Sequence, residues 1–453
     1  MNKQSKLTVR EVAIDLLEDI EKNKSYSNIA LNKAIKENQL SPADSGLLTE
    51  LVYGTIQRKM TLEYYLKPFI GDKKIENWVH LLLQMSVYQM VFLDRIPEHA
   101  ILNEAVEIAK FGGHQGIASF VNGVLRSIQR TGVPSLDLIT NPNERLSIEF
   151  SHPIWMIELW VEQFGFDETK EMCEINLKPP VQTARLNLSK TTPEKAIQSL
   201  EKDGFTVKMS ELLPECIHNA SGNIAFSTAH RDGLITIQDE SSMFVGNVVS
   251  PDENNLILDA CTAPGGKTTH IAERMKGQGK IVALDIHKHK IKLVTEAAKR
   301  LHLKNIEAIQ LDARKVSEQF EENSFDKILV DAPCSGLGVL RRKPDAKYTK
   351  LKTDIERLSV IQLDILDKVA PFLKPGGKLV YSTCTVNKEE NEKVVASFLL
   401  EHTDFEPDAD FVQLLPEKAR KFVKDNHLQI LPQHFDSDGF FIASFRKVLK
   451  RLN

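Results

Sequence analysis

The sequence predicts a multidomain protein, with an all-α N-terminal domain, a small α+β domain and a C-terminal α/β domain. Early in the chain apolar residues recur at helical spacing, whereas after residue 236 short apolar runs alternate with amphipathic stretches. Strands that alternate with helices predict a parallel, Rossmann-like sheet with helices on both faces. The predicted domains span residues 1–140, 144–235 and 236–450.

The N-terminal domain is predicted to be entirely helical. Val9, Val12, Leu16 and Ile20 lie at helical spacing, and Ser41-Pro42 is typical of a helix start, with proline in the first turn. Further helices are predicted at residues 42–56, 78–93, 97–106 and 117–128. The segment 78–93 is the most apolar, so we expect it at the centre of this domain's core.

A linker and a small mixed domain follow. Residues 130–143 contain Gly132, Pro134 and Pro142 and predict a linker. The predicted α+β domain has helices at 153–164 and 193–203, and strands at 183–188 and 205–209.

The C-terminal domain carries the strongest strand pattern. Five buried strands are predicted at 256–259, 280–285, 307–311, 325–331 and 378–382. A further apolar run at 439–445 predicts a strand that closes one edge of the sheet.

Composition limits the classes of function. The chain has 453 residues and a formal net charge of −4, so nucleic acid binding would require a local basic surface. Its five scattered cysteines include no CxxC pair, which argues against a disulfide framework and a structural zinc site, and predicts no metal. Free thiols, a polar N-terminus and the absence of a long apolar run predict a cytoplasmic protein without a membrane span.

A glycine-rich turn follows the first strand of this sheet. In the segment Asp259-Ala-Cys-Thr-Ala-Pro-Gly-Gly-Lys-Thr268, two adjacent glycines would allow close approach of a cofactor. The turn lacks the GxGxxG dinucleotide pattern. It also lacks the first glycine of a P-loop, because position 261 is cysteine. A nucleotide-dependent enzyme that uses Gly266-Lys267-Thr268 is the alternative.

Acidic residues end three successive strands of the predicted sheet. Asp285, Asp312 and Asp331 would meet at one edge, where doubly wound sheets bind ligands. Carboxylates there suit the ribose and base of S-adenosylmethionine, which needs no phosphate clamp. We therefore predict this cofactor.

Two cysteines that closely follow predicted strands indicate the chemistry. A thiolate that adds to C6 of cytosine makes C5 nucleophilic enough to accept a methyl group. Cys334 and Cys384 are the candidate thiols, and Asp331 is the expected partner of the ring nitrogen N3. We expect a helix N-terminus or Lys267 to lower the pKa of such a thiol.

The motifs around these residues resemble those of the RNA cytosine-C5 methyltransferases of the NOL/NSUN/Sun group. The resemblance rests on Asp259 to Thr268, on Asp331-Ala-Pro-Cys-Ser-Gly336, on Tyr381-Ser-Thr-Cys-Thr385 and on Arg341-Arg-Lys-Pro-Asp345. It implies a seven-stranded methyltransferase sheet, Cys384 as the nucleophile and Cys334 as the residue that assists release. DNA cytosine methyltransferases use a Pro-Cys nucleophile instead, which leaves Cys334 as the alternative. The implied cofactor contacts are Cys261, Thr262, Ala263, Pro264, Gly265, Gly266, Lys267, Asp285, Asp312 and Asp331.

The N-terminal helical pattern resembles the antitermination factor NusB. A NusB-like domain fused to such a methyltransferase is the arrangement of bacterial enzymes that modify the small-subunit rRNA. It implies methylation of one cytosine in 16S rRNA, position 967 in conventional rRNA numbering, with 16S rRNA or an immature small subunit as partner. We expect a monomer. A non-catalytic RNA-binding assembly factor is the rival class, although two thiols serve no purpose in such a protein.

A basic stretch beside the Cys334 motif predicts a track for RNA phosphates. It comprises Arg341, Arg342, Lys343, Lys347, Lys350 and Lys352. Weaker candidates for RNA contact are Arg126, Arg130 and Arg185.

Overall fold

The structure is a computed structural model that describes residues 7–23 and 27–449. Residues 1–6, at the predicted polar N-terminus, and residue 450, at the end of the predicted third domain, lie outside this range. The chain divides into two compact units, Met1–Pro179 with Leu340–Lys350, and Pro180–Val339 with Leu351–Asn453. The predicted domain bounds remain predictions.

Unit 1 is helical, as predicted. Its elements are α1 (Val9–Asn23), α2 (Ser27–Glu37), α3 (Pro42–Gln57), α4 (Lys59–Ile70), α5 (Asn77–Phe92), α6 (Glu98–Gly112), α7 (Gln115–Thr131), α8 (Pro142–Glu149), α9 (Ile154–Phe164) and α10 (Phe166–Asn176). The Ser41 side chain accepts a hydrogen bond from the amide of Asp44 and so caps α3. Helix α5 is buried along most of its length, consistent with its central place in the core.

Helices α8 to α10 fall in unit 1 of this division, and α9 and α10 lie within the residues 144–235 predicted as the small α+β domain. Hydrogen bonds explain the grouping. The hydroxyl of Thr61 on α4 donates to the carbonyl of Ile148 at 2.6 Å, and the amide of Met60 donates to Ser151 Oγ at 2.7 Å. These contacts join residues 87 and 91 positions apart, so local periodicity does not reveal them.

Unit 2 begins with a four-stranded antiparallel sheet. Its elements are β1 (Gln182–Leu186), α11 (Pro193–Lys202), β2 (Val207–Met209), β3 (Cys216–Asn219), α12 (Thr228–Arg231) and β4 (Ile235–Ile237). The strand order β2-β3-β1-β4 with a βαββαβ sequence is ferredoxin-like. Leu186, Leu200, Ile217 and Ile235 fill its core.

The large sheet of unit 2 has the expected Rossmann-like pattern. Its elements are α13 (Glu240–Val249), β5 (Leu256–Asp259), α14 (Gly266–Arg274), β6 (Lys280–Asp285), α15 (Lys288–Leu301), β7 (Ile306–Gln310), β8 (Phe325–Asp331), α17 (Lys352–Val369), β9 (Leu373–Thr383), α18 (Glu392–Glu401), β10 (Phe405–Pro407), α19 (Phe411–Leu414), β11 (Val423–Lys424), β12 (His427–Ile430), α20 (Pro432–Phe435) and β13 (Phe440–Lys447). The short helix α16 (Ala346–Thr349) lies between β8 and α17 in sequence and belongs to unit 1.

The strand order is β11-β12-β13-β9-β8-β5-β6-β7, with β10 paired to β13. The pairs from β9 to β7 are parallel, and β13 runs antiparallel to β9. Seven of these strands form the predicted methyltransferase sheet, and the short β10 and β11 extend it.

Both faces of the large sheet are covered. Leu258, Val330 and Tyr381 belong to one core cluster. The preceding residue in each strand, Ile257, Leu329 and Val380, belongs to a cluster that also contains residues of α13 and α14. Because side chains alternate along a strand, continuous apolar runs are required where both faces are buried. The carboxyl ends of the parallel strands then carry the polar residues.

Candidate active site

The candidate site lies at the carboxyl edge of the parallel strands. The sheet register pairs Asp331 at the end of β8 with Ser382 on β9, and Asp285 at the end of β6 with Gln310 on β7. The chain order reverses between β5 and β8, and ligands of doubly wound sheets bind at such a switch point. The glycine-rich turn follows β5 at this position.

Gly265 gives the turn its shape. Its φ angle of +102° is one that only glycine adopts readily, and an added Cβ would lie 3.3 Å from Val294 Cα on α15. The amide of Gly265 donates to the carbonyl of Thr262 at 2.8 Å, which closes the turn before α14 begins. The resulting bare backbone suits close approach of a cofactor.

Beneath the turn lies a buried carboxyl group that the sequence did not single out. Thr268 Oγ1 donates to Asp259 Oδ2 at 2.6 Å. Burial raises the pKa of Asp259 to about 7, and the negative charge of Asp331 adds to this effect. The other oxygen, Oδ1, is buried, and a hydrogen bond from the backbone of Cys261 to this carboxyl group opposes the rise in its pKa.

The acidic strand ends converge around Cys261. Burial raises the pKa of this thiol, and the charges of Asp259, Asp331, Asp285 and Asp312 raise it further. Cys261 is therefore a neutral thiol. The same negative field favours a cation, so the donor set fits the positively charged sulfonium of S-adenosylmethionine.

Two of these carboxylates differ in availability. Asp285 Oδ1 accepts from the amide of His287 at 2.9 Å, and Oδ2 lies 3.9 Å from Lys290 Nζ. Asp312 accepts from both Nε and Nη2 of Arg314, and these hydrogen bonds lower its pKa. The arrangement at Asp285 suits ribose hydroxyls, whereas Asp312 is already paired.

The two candidate thiols lie together. Cys334 Sγ is 3.3 Å from Cys384 Sγ, and the two sulfurs are not joined in a disulfide. The amide of Gly338 donates to the carbonyl of Cys384 at 3.0 Å, which ties together the loops after β8 and β9. A Cβ at Gly338 would collide with the carbonyl oxygens of Gly439 and Cys384, so only glycine permits this approach.

The thiols have unequal electrostatic surroundings. The hydrogen bond to Cys384 and burial raise the pKa of Cys334, and the charges of Glu390 and Asp331 act in the same direction. The prediction of a lowered thiol pKa is therefore wrong for Cys334. Burial lowers the pKa of Lys267, but the attraction of Asp331 outweighs it and the charge of Cys384 also contributes, so the pKa is raised. Lys267 Nζ lies 2.7 Å from Asp331 Oδ2.

Sequence reasoning missed Glu390, a carboxylate buried beneath the two cysteine loops. Its Oε1 accepts from the amide of Ser335 at 2.7 Å and from Gln362 Nε2 at 3.1 Å, while Oε2 accepts from Ser335 Oγ. Glu390 lies in the polar run Asn387-Lys388-Glu389-Glu390-Asn391, which reads as an exposed loop. Only its position six residues after Cys384 connects it to the site.

The predicted phosphate track is wrong for two of its members. Arg341 and Lys347 are 2% and 1% exposed. Arg341 donates to the carbonyls of Lys178 and Pro179, and Lys347 donates to the carbonyl of Gln57. These side chains anchor the 340–350 segment within unit 1.

Arg185 is also wrong as an RNA contact. It is 1% exposed and binds Glu273 through two hydrogen bonds of 3.0 Å, which join β1 to α14. This bidentate ion pair is structural.

One group of the described residues has the proximity needed for metal ligands, namely Cys216, His218 and Glu240. Both oxygens of Glu240 already bind protein groups, His218 Nε2 at 3.1 Å and Ser210 Oγ. Burial and the nearby acidic charges raise the pKa of Cys216, which opposes formation of a thiolate ligand. The predicted absence of a metal remains a prediction.

The Rossmann-like sheet, the glycine turn at the switch point and the acidic strand ends define an S-adenosylmethionine-dependent methyltransferase. Family models match three segments of the chain: 16S rRNA methyltransferase RsmB/F over residues 247–446, the NusB family over 7–130, and the RsmF/B-like ferredoxin-like domain over 152–222. The ferredoxin-like match agrees with the strand order of the small sheet.

Full-length relatives specify the class further. The chain is 52% identical over 443 residues to the probable ribosomal RNA small subunit methyltransferase B of Bacillus subtilis, covering 98% of this chain and 99% of that protein. It is 33% identical to ribosomal RNA small subunit methyltransferase B of Shewanella oneidensis, covering 92% and 95%. The crystal structure of PH0851 superposes with a TM-score of 0.81 at 28% identity, covering 98% of this chain and 100% of that one. The chain belongs to the ribosomal RNA small subunit methyltransferase B family.

The chain is thus an S-adenosylmethionine-dependent rRNA methyltransferase, and the predicted enzyme class and cofactor are confirmed. No helix among residues 7–23 and 27–449 has the length and apolar character needed to cross a bilayer.

Proposed function

We propose that the chain transfers a methyl group to C5 of cytosine 967 in 16S rRNA through a covalent bond between Cys384 and cytosine C6. The pair of thiols 3.3 Å apart, beside the Lys267–Asp331 ion pair, is the observation that carries the proposal. S-adenosylmethionine supplies the electrophilic methyl group. The protein groups must supply a nucleophile, a stabiliser of the adduct and a base.

Covalent addition overcomes the low reactivity of C5. When a thiolate forms a bond to C6, the C5–C6 π electrons become an enamine that can take up a methyl group at C5. Removal of the C5 proton then returns an electron pair to the ring. That pair expels the thiolate from C6 and restores the aromatic base.

The electrostatic environment supports Cys384 as the nucleophile and Cys334 as the residue that removes the C5 proton. The two sulfurs share a hydrogen bond, so deprotonation of the pair is coupled. The raised pKa of Cys334 favours its neutral thiol in the free protein, so this thiol must lose its proton to solvent before the sulfur can accept the C5 proton, whereas the ammonium group of Lys267 attracts the Cys384 thiolate. Because the two cysteines have different electrostatic environments, they are suited to different roles in the reaction.

Asp331 is proposed to accept a hydrogen bond from the amino group of the target cytosine, and one from N3 once that nitrogen is protonated in the adduct. Its carboxylate already accepts from Lys267 Nζ at 2.7 Å and from Ser382 Oγ at 2.8 Å, which fixes its orientation. About a quarter of its side chain is exposed, so a substrate can reach it.

The proposed cofactor contacts follow the strand edge. Backbone groups of the turn from Cys261 through Thr262, Ala263, Pro264 and Gly265 to Gly266 would hold the amino acid part and Asp285 the ribose. Asp312, whose carboxylate is already paired with Arg314, would lie beside the base. Lys267, which directly follows this turn, and its ion-pair partner Asp331 complete the proposed contacts.

The test combines two cysteine variants with a trapping assay on 16S rRNA. Cys384→Ala is expected to bind S-adenosylmethionine but to form no covalent RNA complex and to transfer no methyl group. Cys334→Ala is expected to form the complex and release it slowly, so that complex accumulates on denaturing gels. Cys173→Ala, in the core of unit 1, is the matched control. Accumulation in Cys384→Ala instead would reverse the two roles, and full turnover by this variant would refute the mechanism.

A further inference from the structure

The loops that carry the two thiols share one buried carboxylate, Glu390, whose residue is 0% exposed. It follows Cys384 by six residues and lies just before α18. Glu390 is fully buried and is not one of the cofactor contacts proposed above, so cofactor binding does not explain why a carboxylate occupies this position.

The Glu390 carboxylate holds the residues on both sides of Cys334, Ser335 directly and Pro333 through Gln362. Oε1 accepts from the amide of Ser335 at 2.7 Å, and Oε2 accepts from the hydroxyl of the same residue. Gln362 Nε2 donates both to Oε1 at 3.1 Å and to the carbonyl of Pro333 at 2.9 Å. The residues before and after Cys334 are therefore fixed by Glu390, directly or through Gln362.

The same group reaches the residue after Cys384. Ser335 Oγ and Thr385 Oγ1 lie 2.9 Å apart, and Thr385 also hydrogen bonds to Glu390. The Glu390 carbonyl accepts from the Tyr381 hydroxyl at 2.6 Å, which ties the loop to β9. Rotating this carboxylate would displace both cysteine loops at once.

A carboxylate is an expensive way to satisfy these donors in a dry site. Burial raises the pKa of Glu390, and hydrogen bonds from Ser335 and Gln362 oppose this effect without cancelling it. The two carboxylate oxygens can nevertheless accept hydrogen bonds from the Ser335 amide, the Ser335 hydroxyl and the Gln362 side-chain amide at the same time. A carboxylate has more acceptor positions than a side-chain amide of the same size.

We propose that Glu390 is a positioning residue that sets the spacing of Cys334 and Cys384, so that addition to C6 and proton removal from C5 occur on one bound base. The inference rests on the proposed function for its catalytic meaning. The proposed effect of Glu390 on the spacing of the two sulfurs can be tested without RNA.

The first experiment measures how fast Cys334 and Cys384 form a disulfide in the protein without RNA. Diamide accepts two electrons and two protons from Cys334 and Cys384 and becomes a hydrazine, while the two sulfurs form a disulfide. Mass spectrometry of peptides measures the rate at which this disulfide forms. Glu390→Ala is expected to slow this reaction by at least tenfold, because Ser335 and Gln362 lose their shared acceptor. Glu390→Gln retains most of the contacts and is expected to stay within threefold of the native rate.

Glu389→Ala is the matched control for Glu390→Ala, since it makes the same change at the neighbouring residue. Glu389 pairs with Lys393 and has about a third of its side chain exposed. It is expected to oxidise at the native rate. Native-rate oxidation of Glu390→Ala, in a variant with unchanged circular dichroism, overturns the proposal.

A milder variant covers the case in which Glu390→Ala does not fold. Ser335→Ala removes one hydroxyl donor and leaves the amide contact, so it is expected to slow disulfide formation about threefold. An unchanged rate in this variant also counts against the proposal.

The second experiment gives the catalytic consequence. With 16S rRNA, Glu390→Ala is expected to lower kcat at least a hundredfold with KM for S-adenosylmethionine unchanged, and Glu390→Gln is expected to restore most of kcat. A purely structural role would instead change both constants together. If the native protein methylates no RNA while the oxidation rates follow the prediction, the proposed function fails and the positioning role stands.

Discussion

Lys347 provides a quantitative test of the packing in unit 1. Its side chain is buried, and its Nζ donates to the carbonyl of Gln57 at 2.7 Å. Burial lowers its pKa from 10.5 to about 7, which the nearby Cys173 opposes and Arg58 assists. A charged lysine is therefore destabilising in this position.

The sign and size of the effect follow from linkage. Between about pH 7 and 10.5 the unfolded chain holds a proton that the folded chain has lost, so stability rises with pH by about 1.4 kcal/mol per unit. The full penalty, roughly 5 kcal/mol, is present below pH 7 and disappears as pH approaches 10.5. Replacing Lys347 with methionine removes this dependence.

Neighbouring groups do not obscure the effect. Burial and the charge of Lys347 hold the pKa of His152 well below its ordinary range, so this ring is neutral throughout the window. Burial raises the pKa of both Tyr348 and Cys173 far above their ordinary values, so neither ionises there.

The assay is urea unfolding followed by tryptophan fluorescence between pH 7 and 9. The chain's three tryptophans, Trp78, Trp155 and Trp160, all belong to unit 1, so the signal reports on that unit. The stability difference between Lys347→Met and the native protein is expected to shrink by about 2 kcal/mol over this range. Lys67→Met, at an exposed position on α4, is the control and should parallel the native protein. A constant difference for Lys347→Met would refute the argument that this amine is neutralised by burial.

Three other predictions concern unit 2. Gly265→Ala, which forces a side chain onto a left-handed backbone, is expected to cost about 1–2 kcal/mol of stability and to abolish the thermal shift given by S-adenosylmethionine. Arg185→Ala leaves the buried Glu273 charge unpaired and is expected to cost about 3–5 kcal/mol in thermal unfolding, while adding Glu273→Gln should recover part of this loss; a loss below about 1 kcal/mol would contradict the buried pair. Lys267→Met is expected to slow alkylation of Cys384 by iodoacetamide at pH 7.5 about tenfold, and an unchanged rate would show that the ammonium group does not promote the thiolate.

The sequence predicted the large sheet because its strands are buried on both faces. Strands β5, β6 and β8 begin and end at the predicted residues. Strand β9 starts five residues earlier than expected, at Leu373, because Leu373 pairs with Phe325 on β8 and the pairing resumes at Lys378 after a register shift. The candidate thiols could be found because each closely follows a strand, so topology brings them to one edge.

Burial of charged residues could not be predicted, because their partners are distant in sequence. Lys347 and Gln57 lie 290 residues apart, and nothing in a basic stretch distinguishes a buried lysine from an RNA contact. Glu390 and Ser335 are 55 residues apart, and Glu390 is adjacent to a second glutamate whose side chain is about one-third exposed. In both cases tertiary contacts decide which of several similar side chains is enclosed.

The most direct test of the central claim is to incubate the protein with methyl-labelled S-adenosylmethionine and unmodified 16S rRNA, and then to map the labelled base. Small-subunit particles serve as a parallel substrate. Label at C5 of cytosine 967 alone, in either substrate, is the predicted result. Label on another atom or another base, or none in both substrates, would contradict the proposed reaction.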